Sequence, residues 1–453
     1  MPTFSRSIEL DVPRAVAWAW HLRPGALARL TPPFESSEIL DSGGVGDGAR
    51  VTVRAALLPG IDSLWSMEHF DVAPPDHFRD RMLRGPFETW EHFHGFAELG
   101  PDRTRATDTI TWALPFGALG ALADGMVRAR LDRLFTYRHA TLAADLAEHA
   151  RAESRTLRVA ITGASGLLGR QLAPFLTTGG HQVTSLVRGT PKSGEVRWDP
   201  RGRWDARALE GYDAVIHLAG EGIADGRWSA ARKARIRSSR VEGTASLVSA
   251  LAELARPPKA LIGASAMGIY GDRGDEELTE GSTTGSDFLA EVARGWEAAA
   301  EPLRRVGTRV VHLRFGVLLS PAGGALAKML PPILAGVGGR LGSGTQWMSW
   351  LALDDAIYLV HRAILDERYQ GPLNAATPTP YTNALFTKAL GRIVRRPTFI
   401  PVPAFALKAL FGEMASGTIL ASQRLVPARL LELGFEWRYP ALEGALRHLL
   451  GRS

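Results

Sequence analysis

The chain contains no cysteine among its 453 residues. This absence excludes disulfides, thiolate metal sites and a cysteine nucleophile, and it fits a reducing compartment. The sequence also lacks any uninterrupted run of about 18 apolar residues, the length that a membrane helix needs. Its start, MPTFSRSIELDVPRAVAW, has no basic segment followed by an apolar one. We therefore expect a cytoplasmic protein without a membrane span.

Lysine is absent from the first 191 residues of the chain, and the first lysine is Lys192. Through Arg155 there are 17 Lys and Arg against 21 Asp and Glu, a net charge of −4, and the remainder has a net charge of +10. This shift predicts a domain boundary near residues 149–157 and places positive charge in the part expected to hold an anionic cofactor. The basic residues are scattered and lack interleaved aromatics, so no nucleic-acid partner is expected.

The overall composition, 45% apolar and 22% charged, is that of a globular protein. The first 150 residues indicate mainly strands, with a short helical stretch after Pro13 and a long helix from about Leu119 to His149. This order of elements resembles the START-like (SRPBCC) helix-grip family. The resemblance implies an α+β domain over residues 1–152, in which a curved sheet wraps around the long helix and often encloses an apolar ligand.

Two groups of side chains in this domain bear on ligands. The aromatic residues on its strands could line a cavity or could simply form the core; they are Trp65, Phe70, Phe78, Phe87, Trp90, Phe93, Phe96 and Trp112. His92 and His94 alternate onto one face of a strand, as a metal pair would. No carboxylate or third histidine follows at ligand spacing in the same segment, so we expect no metal site.

From Leu157 onward strands and helices alternate, which predicts a Rossmann-type doubly wound parallel sheet. The first strand, RVAIT, is followed by the turn GASGLLG and a helix. Gly163 permits the tight turn, Gly166 lets the backbone approach a pyrophosphate, and Gly169 allows close helix packing. The predicted phosphate-binding turn comprises Gly163, Ser165, Gly166, Leu167, Leu168 and Gly169.

The end of the second strand of this region indicates which dinucleotide is bound. NAD sites usually place Asp or Glu there for the ribose hydroxyls, whereas an arginine favours the 2′-phosphate of NADP. Here the strand ends SLVRGTPKSG, with Arg188 at that position and Lys192 nearby. NADP(H) is therefore the expected cofactor, the alternative being that Arg188 is only solvated.

Residues 156–453 resemble an atypical extended short-chain dehydrogenase/reductase of the sugar-nucleotide-epimerase-like (cell-division-inhibitor-like) family. The runs that carry the resemblance are TGASGLLGR, YDAVIHLAGEGIADGRW, RKARIRSSRVEGT, ASAMGIYGD, LRFGVLLSPAGGALAKMLPP and GRLGSGTQWMSWLALDD. The resemblance implies that Leu218, Ala219 and Gly220 form a turn beside the ribose and pyrophosphate of the cofactor and that Ser265 faces the nicotinamide. By the same resemblance, Glu221, Arg227 and Trp228 flank a substrate cleft. It also implies a small C-terminal lobe over about residues 371–453.

The usual catalytic pair of that superfamily, Tyr and a Lys four positions later, is missing. None of the seven tyrosines has a lysine at that spacing, and the helix that should carry the pair offers Phe288, Leu289 and Ala293. The remaining candidates for proton transfer are Ser265 and Tyr270. The alternative for Tyr270 is a packed tyrosine in a turn.

Three functions remain open for the chain. The first is an NADP(H)-binding oxidoreductase acting on a carbonyl or alcohol, and the second is a non-catalytic NADP(H)-binding regulatory or ligand-sensing protein. Sugar-nucleotide epimerisation ranks third, because it depends on the missing tyrosine. We expect a small-molecule substrate, an apolar ligand in the first domain and a homodimer as partners.

Overall fold

The computed structural model describes residues 1–58, 61–153, 155–202 and 204–452. Two compact units make up the chain: residues 1–156 with 174–181 form the first, and residues 157–173 with 182–452 form the second. Across the described residues, every helix is too short or too polar to cross a bilayer.

The first unit is built mainly from seven strands. Its elements are β1 (Thr3–Leu10), α1 (Arg14–Leu22), α2 (Ala26–Leu30), β2 (Ser37–Ser42), β3 (Arg50–Leu58), β4 (Ile61–Ala73), β5 (His77–Arg84), β6 (Thr89–Gly100), β7 (Arg103–Ala113), α3 (Ala118–Ala121) and α4 (Asp124–Ala150). The strands form one antiparallel sheet in the order β1-β7-β6-β5-β4-β3-β2. Strand β1 alternates between exposed and buried positions, as expected for a sheet with one face on a core.

Helix α4 contributes the other side of the core of this unit. Leu131, Phe135, Leu142 and Leu146 are buried, as their helical spacing predicts, whereas Met126 in the first turn is 71% exposed. Arg29 of α2 and Asp145 of α4 form a fully buried pair with two bonds of 2.7 Å each. Such a bidentate pair satisfies both charges inside the core.

The aromatic residues of this unit separate into three groups. Phe78, Phe96 and Trp112 are buried in packed clusters. Phe70 and Phe93 lie under Arg81 and Arg79, on the face opposite to the buried one. The three that remain, Trp65, Phe87 and Trp90, form a half-buried group with ring centroids 4.8–5.5 Å apart. Most of the predicted cavity lining is therefore core or outer surface.

The second unit alternates strands with helices, and the last five residues of its first helix, 174–178, belong to the first unit. Its elements are β8 (Arg158–Thr162), α5 (Gly169–Thr178), β9 (Gln182–Val187), β10 (Glu195–Arg197), β11 (Ala214–His217), α6 (Ala230–Ala252), β12 (Ala260–Ala266), β13 (Glu277–Leu278), α7 (Phe288–Ala300), β14 (Arg309–Phe315), β15 (Val317–Leu319), α8 (Gly324–Leu334), β16 (Trp347–Met348), β17 (Trp350–Ala352), α9 (Leu353–Leu365), β18 (Gly371–Ala375), β19 (Tyr381–Thr382), α10 (Asn383–Val394), α11 (Ala404–Phe411), β20 (Arg424–Leu425), α12 (Ala428–Glu432) and α13 (Leu442–Leu450).

Seven parallel strands form the main sheet of this unit, in the order β10-β9-β8-β11-β12-β14-β18. The predicted Rossmann-type sheet is confirmed. The direction of strand addition reverses between β8 and β11. In open parallel sheets a ligand binds at the carboxyl ends of the strands at such a reversal.

One predicted strand, TRVVHLRFGVLL, is divided in the structure. It breaks at Gly316 into β14 and β15, because the chain changes partners there: Gly316 N donates to Ala375 O at 3.0 Å, and Val317 N donates to Ser349 O at 2.8 Å. A Cβ at Gly316 would lie 2.7 Å from Ser349 O. Glycine is needed where the two backbones approach so closely.

Candidate dinucleotide site

The turn between β8 and α5 places three glycines in different environments. Gly163 has φ +71°, and a Cβ on it would lie 2.9 Å from the carbonyl carbon of Leu218. A Cβ on Gly169 would lie 2.3 Å from Gly163 O, so this glycine packs on the turn itself. Gly166 is exposed, and its nearest neighbour, Gly163 O, would be 3.2 Å from an added Cβ. Gly166 therefore presents open backbone to a ligand.

The other residues of the predicted turn could contact a ligand mainly through their backbone atoms. Ser165 is exposed and its carbonyl oxygen accepts from Arg170 Nε at 2.7 Å. Leu168 is buried, while the side chain of Leu167 lies against Gly323. Because these leucine side chains are occupied in packing, any ligand contact from them is through the main chain.

A buried threonine joins the glycine turn to the neighbouring strand end. Thr162 Oγ1 accepts from the N–H groups of Leu218 and Ala219 at 3.1 and 3.2 Å. Its own proton is then available to His217 Nδ1 at 2.7 Å, and His217 Nε2 faces Thr244 Oγ1 at 2.9 Å. Burial lowers the pKa of His217 to about 4, with a smaller contribution from Arg240. A neutral imidazole thus holds the two strand ends together.

The backbone after His217 is supported from behind by an arginine. A Cβ on Gly220 would lie 3.2 Å from the guanidinium carbon of Arg240. Arg240 Nη1 donates to Glu221 O at 2.9 Å, and Ser239 Oγ accepts from Glu221 N at 3.0 Å. Burial lowers the pKa of Arg240 to about 10. The turn Leu218–Ala219–Gly220 is therefore held rigidly at the reversal point of the sheet.

Arg188 follows directly on the last residue of β9, the strand beside β8. It is exposed, and none of the residues described in the structure forms an ion pair with it. No carboxylate stands at this strand end, where NAD sites usually have one. The glycine turn, the rigid second turn and this cation fit a phosphate-bearing dinucleotide.

Ser265 lies at the carboxyl end of β12 and is 3% exposed. Its hydroxyl donates to Glu297 Oε1 on α7 at 2.6 Å. Arg314 on β14 in turn donates to both oxygens of Glu297, at 2.9 Å each. The serine therefore belongs to a buried hydrogen-bond network that includes a bidentate ion pair.

Tyr270 lies at the far end of the same network and is fully buried. Its hydroxyl donates to Asn374 Oδ1 at 2.7 Å and accepts from Arg314 Nη1 at 2.9 Å. Burial raises the pKa of the phenol. Protein groups thus take both hydrogen-bonding roles of the hydroxyl, which favours the alternative of a packed turn tyrosine, and the catalytic role of Tyr270 stays a prediction.

The loop after β11 is tied to the segment that begins with α11. Arg227 donates from Nε to Leu410 O at 3.1 Å and from Nη2 to Ala409 O. Lys233 Nζ lies 2.5 Å from Glu413 and 4.9 Å from the ring centroid of Phe288. The edge of Trp228 contacts the same phenylalanine, with ring centroids 5.3 Å apart. The loop that carries Arg227 and Trp228, which the resemblance assigned to a substrate cleft, is thus held by contacts to α11 and to Phe288.

Sequence patterns did not predict four residues of these hydrogen-bond networks: Thr162, Glu297, Arg314 and Asn374. Arg314 carried a detectable signal, because a charged residue inside the otherwise apolar strand VVHLRF must find a partner when the strand is buried. Glu297 and Asn374 carried none, since their roles depend on which elements pack together.

The histidine pair of the first unit acquires a third neighbour in the structure. Asp80 of β5 lies opposite His92 of β6 in the antiparallel ladder, and its Oδ2 lies 2.9 Å from His94 Nε2. The expectation of no metal site rests on ligand spacing within one segment, whereas Asp80 comes from the adjacent strand.

Comparisons with known proteins give the family. A model of the NAD dependent epimerase/dehydratase family matches residues 159–375, and one for a domain of unknown function (DUF1731) matches residues 402–449. An epimerase family protein of Mycobacterium tuberculosis is 42% identical over 296 residues, which cover 65% of this chain and 98% of that protein. The chain belongs to the NAD dependent epimerase/dehydratase family. The resemblance of the second part to epimerase-like dehydrogenases is confirmed at this level.

Two solved structures extend the comparison. The crystal structure of the human epimerase family protein SDR39U1 (isoform 2) with NADPH has a TM-score of 0.60 and 32% identity, covering 65% of this chain and 99% of that one. A nucleoside-diphosphate sugar epimerase from Corynebacterium glutamicum has a TM-score of 0.79 and 37% identity, covering 99% of this chain and 90% of that one. The match to the Corynebacterium glutamicum epimerase therefore includes the first unit of this chain.

Proposed function

We propose that this chain is an NADP(H)-binding oxidoreductase that acts on a carbonyl or alcohol substrate without the usual Tyr-x-x-x-Lys pair. The observation that carries the proposal is the pair of backbone turns, after β8 and β11, that flank the reversal point of the sheet, together with the exposed Arg188 at the end of β9. When bound, the cofactor supplies or accepts a hydride. The NADPH in the human relative's structure supports the choice of cofactor.

Each element of this site has a separate task in the proposal. The N–H groups at the start of α5 bind the pyrophosphate, with Gly166 leaving room for it. Arg188 binds the 2′-phosphate. Thr162 and His217 keep the second turn at a fixed distance from the first.

Ser265 is the residue that we assign to contact with the substrate or the nicotinamide. It is the penultimate residue of β12, the strand next to β11, and its hydroxyl is oriented by Glu297 at 2.6 Å. Arg314 holds that carboxylate through two bonds. Tyr270 is a positioning residue in this scheme, because its hydroxyl supports Arg314.

A non-catalytic NADP(H)-binding regulator is the second candidate. The observation that favours it is that the hydroxyls of both proton-transfer candidates, Ser265 and Tyr270, donate to protein groups. Sugar-nucleotide epimerisation remains third, since α7 carries Phe288, Leu289 and Ala293 where the tyrosine and lysine would be needed.

The first unit completes the proposal. Its antiparallel sheet and long α4 support a START-like domain over residues 1–152, followed by the dehydrogenase-like domain over residues 156–453 with its C-terminal lobe from about residue 371. An apolar ligand would meet the half-buried group of Trp65, Phe87 and Trp90. The homodimer stays a prediction.

Cofactor binding is tested by titrating the full chain with NADPH and with NADH. We expect tighter binding of NADPH, and Arg188→Ala should weaken NADPH binding at least about tenfold while leaving NADH unchanged, since the lost ion pair with a phosphate is a charge-assisted contact. Arg447→Ala, an exposed arginine of α13, is the matched control. Tighter binding of NADH would overturn the assignment of NADP(H).

Catalysis is tested by following NADPH oxidation with a panel of carbonyl compounds. Ser265→Ala should lower kcat about 100-fold or more if this hydroxyl takes part in proton transfer. Tyr270→Phe should keep most turnover and lose stability instead. Tight NADPH binding with no turnover on any compound would favour the regulator, and a loss of turnover confined to Tyr270→Phe would restore the tyrosine as the acid.

A further inference from the structure

Buried histidines and aspartates lie between the sheet and α4 of the first unit, where the proposed function assigns no role to them. Asp80 of β5, His92 and His94 of β6, Asp108 of β7 and His139 of α4 come from three strands and a helix, and their side chains are at most 15% exposed. Ionised carboxylates and imidazoles are rarely buried together unless they are paired or bind a metal.

We propose that Asp80, His92 and His94 form a three-ligand site for a divalent cation of the zinc class inside the first unit. Each of the three residues offers one ligand atom, and these atoms all lie within 4.8 Å of one another. The ring nitrogens that face Asp80 Oδ2 are His92 Nδ1 and His94 Nε2. Zinc prefers nitrogen and oxygen ligands of these types in a tetrahedral arrangement.

The two separations that involve Asp80 are close to what that geometry needs. Bonds of about 2.0–2.2 Å from zinc to nitrogen and oxygen place tetrahedral ligands roughly 3.3–3.6 Å apart. Asp80 Oδ2 lies 2.9 Å from His94 Nε2 and 3.5 Å from His92 Nδ1. The second separation lies in that range, and the first is a few tenths of an ångström shorter. The fourth position stays open, as it does in zinc sites that bind water or a substrate.

The other ring nitrogens of His92 and His94 contact a carboxylate, as the second nitrogen of a metal-binding histidine often does. His92 Nε2 lies 2.9 Å and His94 Nδ1 3.0 Å from the same oxygen, Asp108 Oδ1. A histidine that binds a metal through one nitrogen almost always donates its other N–H to a carboxylate or carbonyl. His139 Nε2 contacts the second oxygen of Asp108 at 2.7 Å and so fixes that carboxylate.

The contacts of the two rings differ in length. His94 lies within hydrogen-bond distance of both carboxylates, with Nε2 2.9 Å from Asp80 Oδ2 and Nδ1 3.0 Å from Asp108 Oδ1. His92 Nδ1 lies 3.5 Å from Asp80 Oδ2, which is long for a hydrogen bond, and the two ring centroids are only 3.7 Å apart. A cation held by His92 Nδ1, His94 Nε2 and Asp80 would leave each ring one N–H to donate to Asp108, and the two carboxylates would balance its charge.

His69 of β4 adds a further polar group beside Asp80. It lies opposite Asp80 in the ladder, is 91% buried, and its Nδ1 has no hydrogen-bond partner among the described residues. Residues paired across a ladder share a face of the sheet, so this imidazole stands beside Asp80 on the interior face. A water or ligand atom in the fourth position would give it a partner.

The test uses the full chain, stripped with a chelator and desalted. Zn²⁺ affinity is measured by competition with a chromophoric chelator, and Co²⁺ is added as a spectroscopic probe. We expect one equivalent of either metal, with the visible absorption of four-coordinate Co²⁺. Asp80→Asn and His94→Ala should abolish it. His77→Ala is the matched control, because this histidine of β5 contacts Asp71 and Phe93 and lies outside the cluster.

A second variant keeps the test decisive if Asp80→Asn or His94→Ala fails to fold, as judged by circular dichroism. Asp108→Asn retains the size of the side chain and should weaken Zn²⁺ binding about 10–100-fold, the usual loss on removing an orienting carboxylate. The proposal is overturned if the folded wild-type chain binds no stoichiometric Zn²⁺, or if Asp108→Asn binds it as tightly as wild type. NADPH binding, measured in the same samples, reports separately on the proposed function.

Discussion

Single buried charges decide much of the local chemistry in the second unit. Arg314 and Glu297 are 8% and 14% exposed at the side chain, and they connect Ser265 to Tyr270. A buried pair contributes little net stability compared with apolar residues, but an isolated charge left behind by mutation is costly. The network therefore serves mainly to fix the positions of Ser265 and Tyr270.

We predict that Arg314→Leu destabilises the chain by about 3–5 kcal/mol, because it leaves the Glu297 carboxylate buried without its partner. The double variant Arg314→Leu/Glu297→Leu should recover part of that loss. Urea unfolding of wild type, both single variants and the double variant measures the coupling. Additive losses of stability would show that the two side chains are independent and would contradict a buried ion pair between Arg314 and Glu297.

His217 makes a pH-dependent contribution to the free energy of unfolding. Its pKa is about 4 in the folded chain, and an unfolded histidine titrates near 6.5. As the pH falls below the unfolded value, the unfolded state takes up the proton first, so stability present above about pH 6.5 is lost progressively down to the folded pKa. The loss amounts to up to about 3 kcal/mol at 1.36 kcal/mol for each pKa unit.

His217→Gln should remove this component. The variant loses some stability at neutral pH, since the bonds to Thr162 and Thr244 change, but its free energy of unfolding should fall less steeply than that of wild type between pH 6.5 and 4. Denaturant midpoints at several pH values measure the difference. Parallel curves for the two proteins would exclude a buried neutral imidazole.

At the scale of elements, the glycine turn between β8 and α5 combines two different requirements. Gly163 and Gly169 satisfy the packing of the turn, whereas Gly166 leaves its outer face open. The residue pattern suggested three glycines with ligand and packing roles. Only the assembled turn shows that Gly169 packs directly on Gly163 and Ala164 of the same turn.

We predict a clear division when each glycine is changed to alanine. Gly163→Ala and Gly169→Ala should lower the melting temperature, the first because of φ +71° and both because the new Cβ would lie under 3.0 Å from backbone atoms. Gly166→Ala should fold normally and lose NADPH affinity by at least tenfold, since its methyl group would occupy the phosphate face. Thermal melts and NADPH titrations of the three variants distinguish the two effects. Normal NADPH affinity in Gly166→Ala would place the phosphates elsewhere.

In the first unit, the sequence predicts individual strands but not which strands are neighbours in the sheet. Alternating residues predict β1 and β4–β7 and place His92 and His94 on one face. The neighbours of a strand depend on the order β1-β7-β6-β5-β4-β3-β2, and that order brings Asp80 and Asp108 to the histidines. A search confined to one segment could not find them.

On the scale of the whole molecule, charge is distributed unequally along the chain. The portion through Arg155 carries −4 and the remainder +10. A positive field attracts an anionic ligand and is screened by salt over about 8–10 Å at ordinary ionic strength.

We predict that NADPH binds more weakly as ionic strength rises, and that its dissociation constant changes more steeply than that of NADH. The reason is the extra phosphate, which Arg188 contacts in the proposed site. Titrations of both cofactors over a range of KCl concentrations measure the two slopes, and Arg188→Ala should bring the NADPH slope close to that of NADH. Equal slopes in wild type would contradict a direct contact between Arg188 and that phosphate.

The sequence by itself determined what depends on neighbouring residues: the alternating strands, the βαβ unit opened by VAITGASGLLGR, the arginine at the end of its second strand, and the absence of Tyr-x-x-x-Lys. These features follow from backbone geometry and spacing within one segment. Only the tertiary structure decided which distant side chains share a dry interior. It joined Ser265, Glu297, Arg314 and Tyr270 from different elements and placed Asp80 and Asp108 around the histidine pair, because burial forces polar groups to find partners wherever packing supplies them.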